Sequence, residues 1–283
     1  MRKPRIKPAE ATWHHITTRA AGSSKDRFFG DKEREKLLQI LQEHTVYYTM
    51  EVVAYNFMSN HMHIVINDPD ANIPDEEVCR RHAAYYPKRP RILPGTPECA
   101  VVKAQITNIS RFMQAILPAF TRWYNKTRPD GRAGILWGTR FKNSIMEDGE
   151  AVLDGLIYVE NNAVRAGMVE KAEEYPHCSY GVWVQEGVHP FEDEVERTLL
   201  PIMRDVLRIN TLPELKEGIK TRLELRKGER ERAWSSGKVI GSDDYVRRVM
   251  HRERGIDPKA GQKLAEVGGT KLYCWKHRRS ANG

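Results

Sequence analysis

Two β-rich runs, Val46 to Phe57 and His61 to Asn67, stand three residues apart across Met58-Ser59-Asn60, and so short a connection predicts an antiparallel hairpin. Side chains two apart on a strand leave the same face, so His61 and His63 point the same way and can converge on one metal ion. The competing reading leaves both imidazoles on the wet face of an amphipathic strand, because short motifs recur by chance. His14 and His15 lie in another β-rich run, Thr12 to Arg19. Neighbouring strand residues face opposite ways, so at most one of these two can join the pair.

The hairpin sits in an alternating pattern. Thr12 to Arg19 reads as a first strand that ends at Ala20-Ala21-Gly22-Ser23-Ser24. Leu37, Leu38 and Leu41 then recur at helical spacing in Lys32 to His44, with Asp31 placed to cap that helix. After the hairpin, residues 68–100 hold repeated prolines and arginines and predict an irregular basic insertion. A long helix follows from Val101 to about Lys126, bent at Pro118, then a strand from Ile135 to Met146 and a helix from Asp148 to Ala166 that Gly167 stops.

The order β-α-β-β-α-β plus a further helix is a split βαβ arrangement in the α+β class: an antiparallel sheet with helices on one face and the other face open to a long ligand. Residues 1–180 form this predicted domain. Residues 181–283 change character and read as a mostly helical, basic C-terminal appendage.

Composition narrows the partners. The 283 residues carry 46 Lys and Arg against 38 Asp and Glu, a net charge of +8, which favours an anionic partner, nucleic acid first. No apolar run approaches the roughly 18 residues of a membrane span, and the opening Met1-Arg2-Lys3-Pro4-Arg5 is not followed by an apolar stretch, so a cytoplasmic, nucleoid-associated protein is expected. Cys79, Cys99, Cys178 and Cys274 are far apart with no C-x-x-C, as reduced thiols would be; Cys79 and His82 have ligand-like spacing but no second matched pair.

Tyr158 and Asn162 stand four apart on one helix and therefore share a face, from which a phenol and an amide oxygen can address the same ion. A buried tyrosine with a satisfied hydroxyl is the simpler alternative. At this point five blocks, in order, resemble the REP-associated tyrosine transposases, within the wider single-tyrosine HUH transposases and nucleases. They are Trp13-His14-His15-Ile16-Thr17-Thr18-Arg19, Asn60-His61-Met62-His63, Leu136-Trp137-Gly138-Thr139-Arg140-Phe141-Lys142, Tyr158 through Gly167, and Tyr175-Pro176-His177-Cys178-Ser179-Tyr180.

The resemblance implies a ferredoxin-like catalytic domain in which His61 and His63 bind Mg or Mn, Asn162 is the third protein ligand and Tyr158 attacks single-stranded or hairpin DNA. Ser59 replaces the proline often found before the asparagine of the Asn60-His61-Met62-His63 motif. Ala163 replaces the usual proline after Asn162, which lets the helix run on and leaves Asn161 as an alternative ligand. Mixed nitrogen and oxygen ligands do not choose between Mg and Mn. Arg19, Arg111, Arg122, Arg140, Lys142 and Arg165 flank these motifs and are the candidate DNA contacts, against the reading that they are solvated charges. Trp137 and Phe141 can stack unpaired bases or pack in the core. Two other functions suit the same residues: a DNA-binding regulator that has lost catalysis, and a metallo-nuclease that uses water.

Overall fold

In the computed structural model, residues 12–23, 26–69, 71–128, 131–227, 233–234, 238–254, 265–266 and 271–275 are described. The first half contains β1 (Thr12–Arg19), α1 (Asp31–Thr45), β2 (Glu51–Phe57), β3 (His61–Asp68), α2 (Asp75–Tyr85), α3 (Pro97–Ile106) and α4 (Ile109–Lys126). Then come β4 (Lys142–Met146), α5 (Glu150–Glu160), α6 (Asn162–Arg165) and α7 (Ser179–Glu186). Beyond them lie α8 (Glu192–Glu194), α9 (Leu200–Leu207), α10 (Leu212–Leu225), β5 (Val239–Gly241), a helix at Asp243–Arg254, β6 (Ala265–Glu266) and β7 (Tyr273–Trp275).

The sheet order is β2-β3-β1-β4-β5-β7-β6. The first four strands pair antiparallel in the order a split βαβ unit requires, and the α+β class expected from the sequence is the class observed. Among the described residues no helix is long and apolar enough to cross a membrane.

Register decides what each face carries. In β1 and β3 the pairs His15↔Val65, Thr17↔His63 and Arg19↔His61 lie directly opposite one another, so these six side chains share one face. Ile16↔Ile64 and His14↔Ile66 take the other face, where Leu37, Ile40 and Leu41 of α1 and Phe112, Met113, Ile116 and Phe120 of α4 close a dry core.

The sheet is not open on its second face. Helix α5 buries Val152, Leu153, Leu156, Ile157 and Val159, too many for one stripe, and so needs neighbours on both sides. Trp13, Val53, Val65 and Met146 cover it from the sheet, and Met203, Leu215, Ile219 and Leu223 of α9 and α10 cover it from outside. Residues beyond 181 thus share the core of the first half, and β5 and β7 extend its sheet.

Several local expectations shift for identifiable reasons. Gly30, not Asp31, caps α1, with the Glu33 carboxylate accepting the Gly30 N–H at 2.8 Å. The helix expected from Val101 is cut in two, because the Asn108 amide oxygen accepts the N–H groups of Ser110 and Arg111 and starts α4 afresh. Residues 68–100 contain an ordered helix, α2, bracketed by Pro74 at its N-cap and Pro87 just past its end. Of the strand expected from Ile135, only Lys142–Met146 is extended.

Candidate active site

His61 opens β3 and His63 follows on the same face, their ring centroids 5.2 Å apart. Burial is the leading influence on both: it holds the His61 pKa down to about 3 and His63 well below its usual value, and the nearby charges of Arg19 and Arg27 on His61, and of Arg165 and Arg19 on His63, push the same way. Both rings are therefore neutral at pH 7, the form in which an imidazole nitrogen can ligate a metal. Asn60 orients the first of them. Its amide nitrogen donates to the Asp26 carbonyl at 3.0 Å, which turns its oxygen toward His61 Nδ1 at 2.7 Å. That oxygen only accepts, so His61 carries its proton on Nδ1 and keeps Nε2 as a lone pair.

His15, one of the two alternatives weighed from the sequence, faces this site; His14 faces away and approaches Asn143 and Asp68. Nε2 of His15 lies 2.8 Å from Nδ1 of His63, and Thr17 Oγ1 is 3.2 Å from the same His63 nitrogen. The two rings are nearly parallel with centroids 5.1 Å apart. Because their nitrogens are only 2.8 Å apart, the planes are too close for overlap, and the rings meet edge to edge.

Helix α5 brings the phenol in from above. Gly155 is the contact point, since a Cβ there would lie 2.5 Å from the Met146 sulfur and 3.0 Å from the Trp234 ring. One turn later, the Tyr158 ring stands 5.7 Å from His15 and 5.9 Å from His63, edge-on to both and half-buried. The guanidinium of Arg165 lies over the Tyr158 ring at 4.0 Å and donates to the Tyr158 carbonyl. The indole of Trp234 stacks on the same phenol at 5.8 Å.

The helix does not run on through Ala163. It breaks for one residue at Asn161, whose amide nitrogen donates to the Leu223 carbonyl of α10 at 3.1 Å. Asn162 directs its amide nitrogen to the carbonyls of Tyr158 and Val159, both at 3.3 Å, leaving its oxygen as the donor atom. Among the described residues no three His, Cys, Asp or Glu side chains form a metal cage, so an ion here would depend on that amide oxygen beside the two imidazoles. Cys79 meets Cys99 at 3.9 Å instead of joining His82 in a metal site.

The last sequence block clamps this assembly without entering it. Asn56 donates to the carbonyls of Val159 and Glu160 at the end of α5, and buried Glu160 accepts from the Ser179 hydroxyl and, at 3.1 Å, from the Tyr180 N–H. Burial raises the Glu160 carboxyl to about 7. Tyr175 donates to the Phe57 carbonyl at 2.7 Å, tying the segment back to β2.

The candidate DNA contacts divide. Arg19 and Arg165 flank the imidazoles, and Lys142 lies opposite Thr17 on the same face. Arg140 is exposed just before β4. Arg111 and Arg122 do not line the site: they ride on α4, across the sheet from the phenol, near Tyr48 and His44. The reason is the sheet itself, which separates the two helices. Trp137 packs on Phe29 and Phe120 and donates to the Leu117 carbonyl, and Phe141 is buried, so both serve the core.

Two contributors were beyond sequence reasoning, Trp234, which stacks on Tyr158, and Arg226, which pairs with the buried Asp154 of α5 at 3.3 Å. Both come from the region after 181 and reach α5 only through folding; an aromatic in a charged segment was the only available signal.

No protein-family profile matches the chain. A Haemophilus influenzae protein described provisionally as a REP-associated tyrosine transposase is 24% identical over 144 residues, 51% of this chain and 66% of that relative's length. A solved structure of a REP-associated tyrosine transposase bound to a REP hairpin aligns with 68% of this chain and 90% of its own, at a TM-score of 0.45 and 14% identity. The resemblance drawn from the five motif blocks is thus met independently by a relative of the same description.

Proposed function

We propose that the chain cleaves and rejoins single-stranded or hairpin DNA through a covalent 5′-phosphotyrosine, in the manner of a transposase. One observation carries this reading: the Tyr158 ring sits within 6 Å of His15 and His63, at 5.7 and 5.9 Å, on the sheet face that also presents Arg19 and Lys142.

His61 Nε2, His63 Nε2 and the Asn162 amide oxygen are the atoms that would hold a divalent ion, and their neutral, desolvated state suits one. A bound Mg or Mn ion neutralises charge on the non-bridging oxygens of a phosphate. The residues themselves do the rest. Arg19 and Arg165 add positive charge where a phosphate must sit, and a buried site strengthens that attraction. The Tyr158 oxygen attacks phosphorus in line, forming an O–P bond as the bond to the 3′ oxygen breaks; the phenol gives up its proton and the departing 3′ oxygen takes one. A second 3′-hydroxyl reverses the step and releases Tyr158, so strands are joined with no external energy source.

The test is incubation of labelled single-stranded DNA with the chain and Mn2+, followed by a denaturing gel. A DNA–protein adduct present in the wild type and absent in Tyr158→Phe supports the proposal. Cleavage that persists in Tyr158→Phe assigns the reaction to water, and binding without cleavage in every divalent ion assigns the chain to regulation.

A further inference from the structure

We infer that His15 is a positioning residue that holds His63 in the Nδ1–H tautomer and so turns the His63 Nε2 lone pair outward. The inference rests on the reading of His63 as a ligand given above, and its geometry lies within the chain.

A single proton occupies the 2.8 Å gap between His15 Nε2 and His63 Nδ1, and the two rings can share it in only two ways. If His15 donated, His63 would carry its proton on Nε2 and have no lone pair left for an ion. A His63 that ligates through Nε2 requires the other arrangement, and the surrounding contacts accommodate it. Thr17 Oγ1, 3.2 Å from His63 Nδ1 and 3.4 Å from His15 Nε2, can accept from the first and donate to the second. On the far side of His15, Nδ1 has no hydrogen-bond partner among the described residues, and the Trp234 ring stands edge-on to the imidazole at 6.1 Å. A proton on that nitrogen leaves His15 Nε2 as the acceptor. Finally, Asn60 imposes the Nδ1–H form on His61, and the same form of His63 presents the matching nitrogen from the same strand.

Burial makes the arrangement stiff. His15 and His63 are 1% and 4% exposed, so solvent offers little competing partner to either nitrogen. The second partner of a ligating imidazole commonly sets its tautomer and ring direction, and losing it weakens metal binding by about 10- to 100-fold. What is unusual here is that the partner is itself an imidazole, steadied by a residue from the C-terminal region.

Two measurements on the full chain test this. In 15N-histidine-labelled protein without metal, long-range 1H–15N spectra at neutral pH should show His63 as Nδ1–H in the wild type and in His15→Gln, whose amide oxygen can accept the same bond, and a shift toward Nε2–H in His15→Phe. Mn2+ binding read by electron paramagnetic resonance should weaken about 10- to 100-fold in His15→Phe and stay within about threefold of wild type in His15→Gln. A wild-type His63 in the Nε2–H form, or a His15→Phe chain whose tautomer and Mn2+ affinity match wild type, overturns the inference. If His15→Phe fails to fold, His15→Gln decides it: the wild-type tautomer upholds the inference and a changed one overturns it. Wild-type protein that binds no Mn2+ overturns the ligand reading under the proposed function, and the tautomer spectra then still decide the role of His15.

Discussion

The two faces of the sheet are made from the same strands and have opposite characters. Under α1 and α4, Ile16, Ile64 and Ile66 meet Phe112, Ile116 and Phe120 in an apolar layer, with His14 and Thr18 the buried polar side chains of β1 on that face. Under α5, apolar contact is confined to one end, at Trp13, Val65 and Met146, and the other end carries His15, Thr17, His61 and His63. Alternation along a strand lets one face supply cohesion while its neighbour gives up part of its packing to chemistry. Only the first layer is free of groups whose lone pairs must stay available.

This contrast can be broken experimentally. The largest effect is expected from Tyr158→Phe, which should lower adduct formation by at least about 10³-fold while thermal melting stays within about 2 °C, because the ring contacts survive. On the opposite face, Phe112→Ala should do the reverse: a stability loss of about 3–5 kcal/mol in urea titration with the Mn2+ affinity of the remaining folded protein unchanged. Should Phe112→Ala alter metal affinity as much as stability, the two faces are not separable.

An acid limb sharpens the comparison on the α5 side. Burial lowers the His189 pKa to about 4, and its Nδ1 accepts the Phe191 N–H at 3.1 Å, so the folded chain keeps this ring neutral. The unfolded chain binds the proton more readily, so the stability contribution is complete above the free value near 6.5 and falls as pH drops toward 4. About 3 kcal/mol is at stake, and His189→Asn, which can still accept from Phe191, should flatten that part of a pH–stability curve. The smallest effect is expected at the point where α5 touches the sheet. Gly155→Ala should cost roughly 1–3 kcal/mol as the added methyl displaces the Met146 sulfur and Trp234, and should slow adduct formation in excess of any loss of folded protein.

Periodicity made much of this legible. Period two placed His61 and His63 on one face, period 3.6 set Tyr158 and Asn162 one turn apart, and the alternation of the two periods defined the split βαβ core. Helix α2 was hidden because the prolines of 68–100 read as breakers, whereas Pro74 and Pro87 act as boundaries to a helix that buries Val78 and His82. The second helical layer was missed for another reason: the charged surface of α10 obscures Leu215, Ile219 and Leu223, which reveal their role only against α5. The choice of His15 over His14 follows from register, and the approach of Trp234 from tertiary closure. Neither distance along the chain nor residue type encodes them.

The parallel pairing of β4 with β5 has one more effect. Ile145 gives its N–H to Lys238 and Glu147 gives its own to Ile240, both at 2.9 Å, so the outer border of the split βαβ unit is already engaged by its own chain. A foreign strand seeking to lengthen the sheet at that border would first have to displace these bonds. The C-terminal residues thereby close the β4 border of the split βαβ unit to adhesion between molecules, a service independent of whatever happens at the phenol.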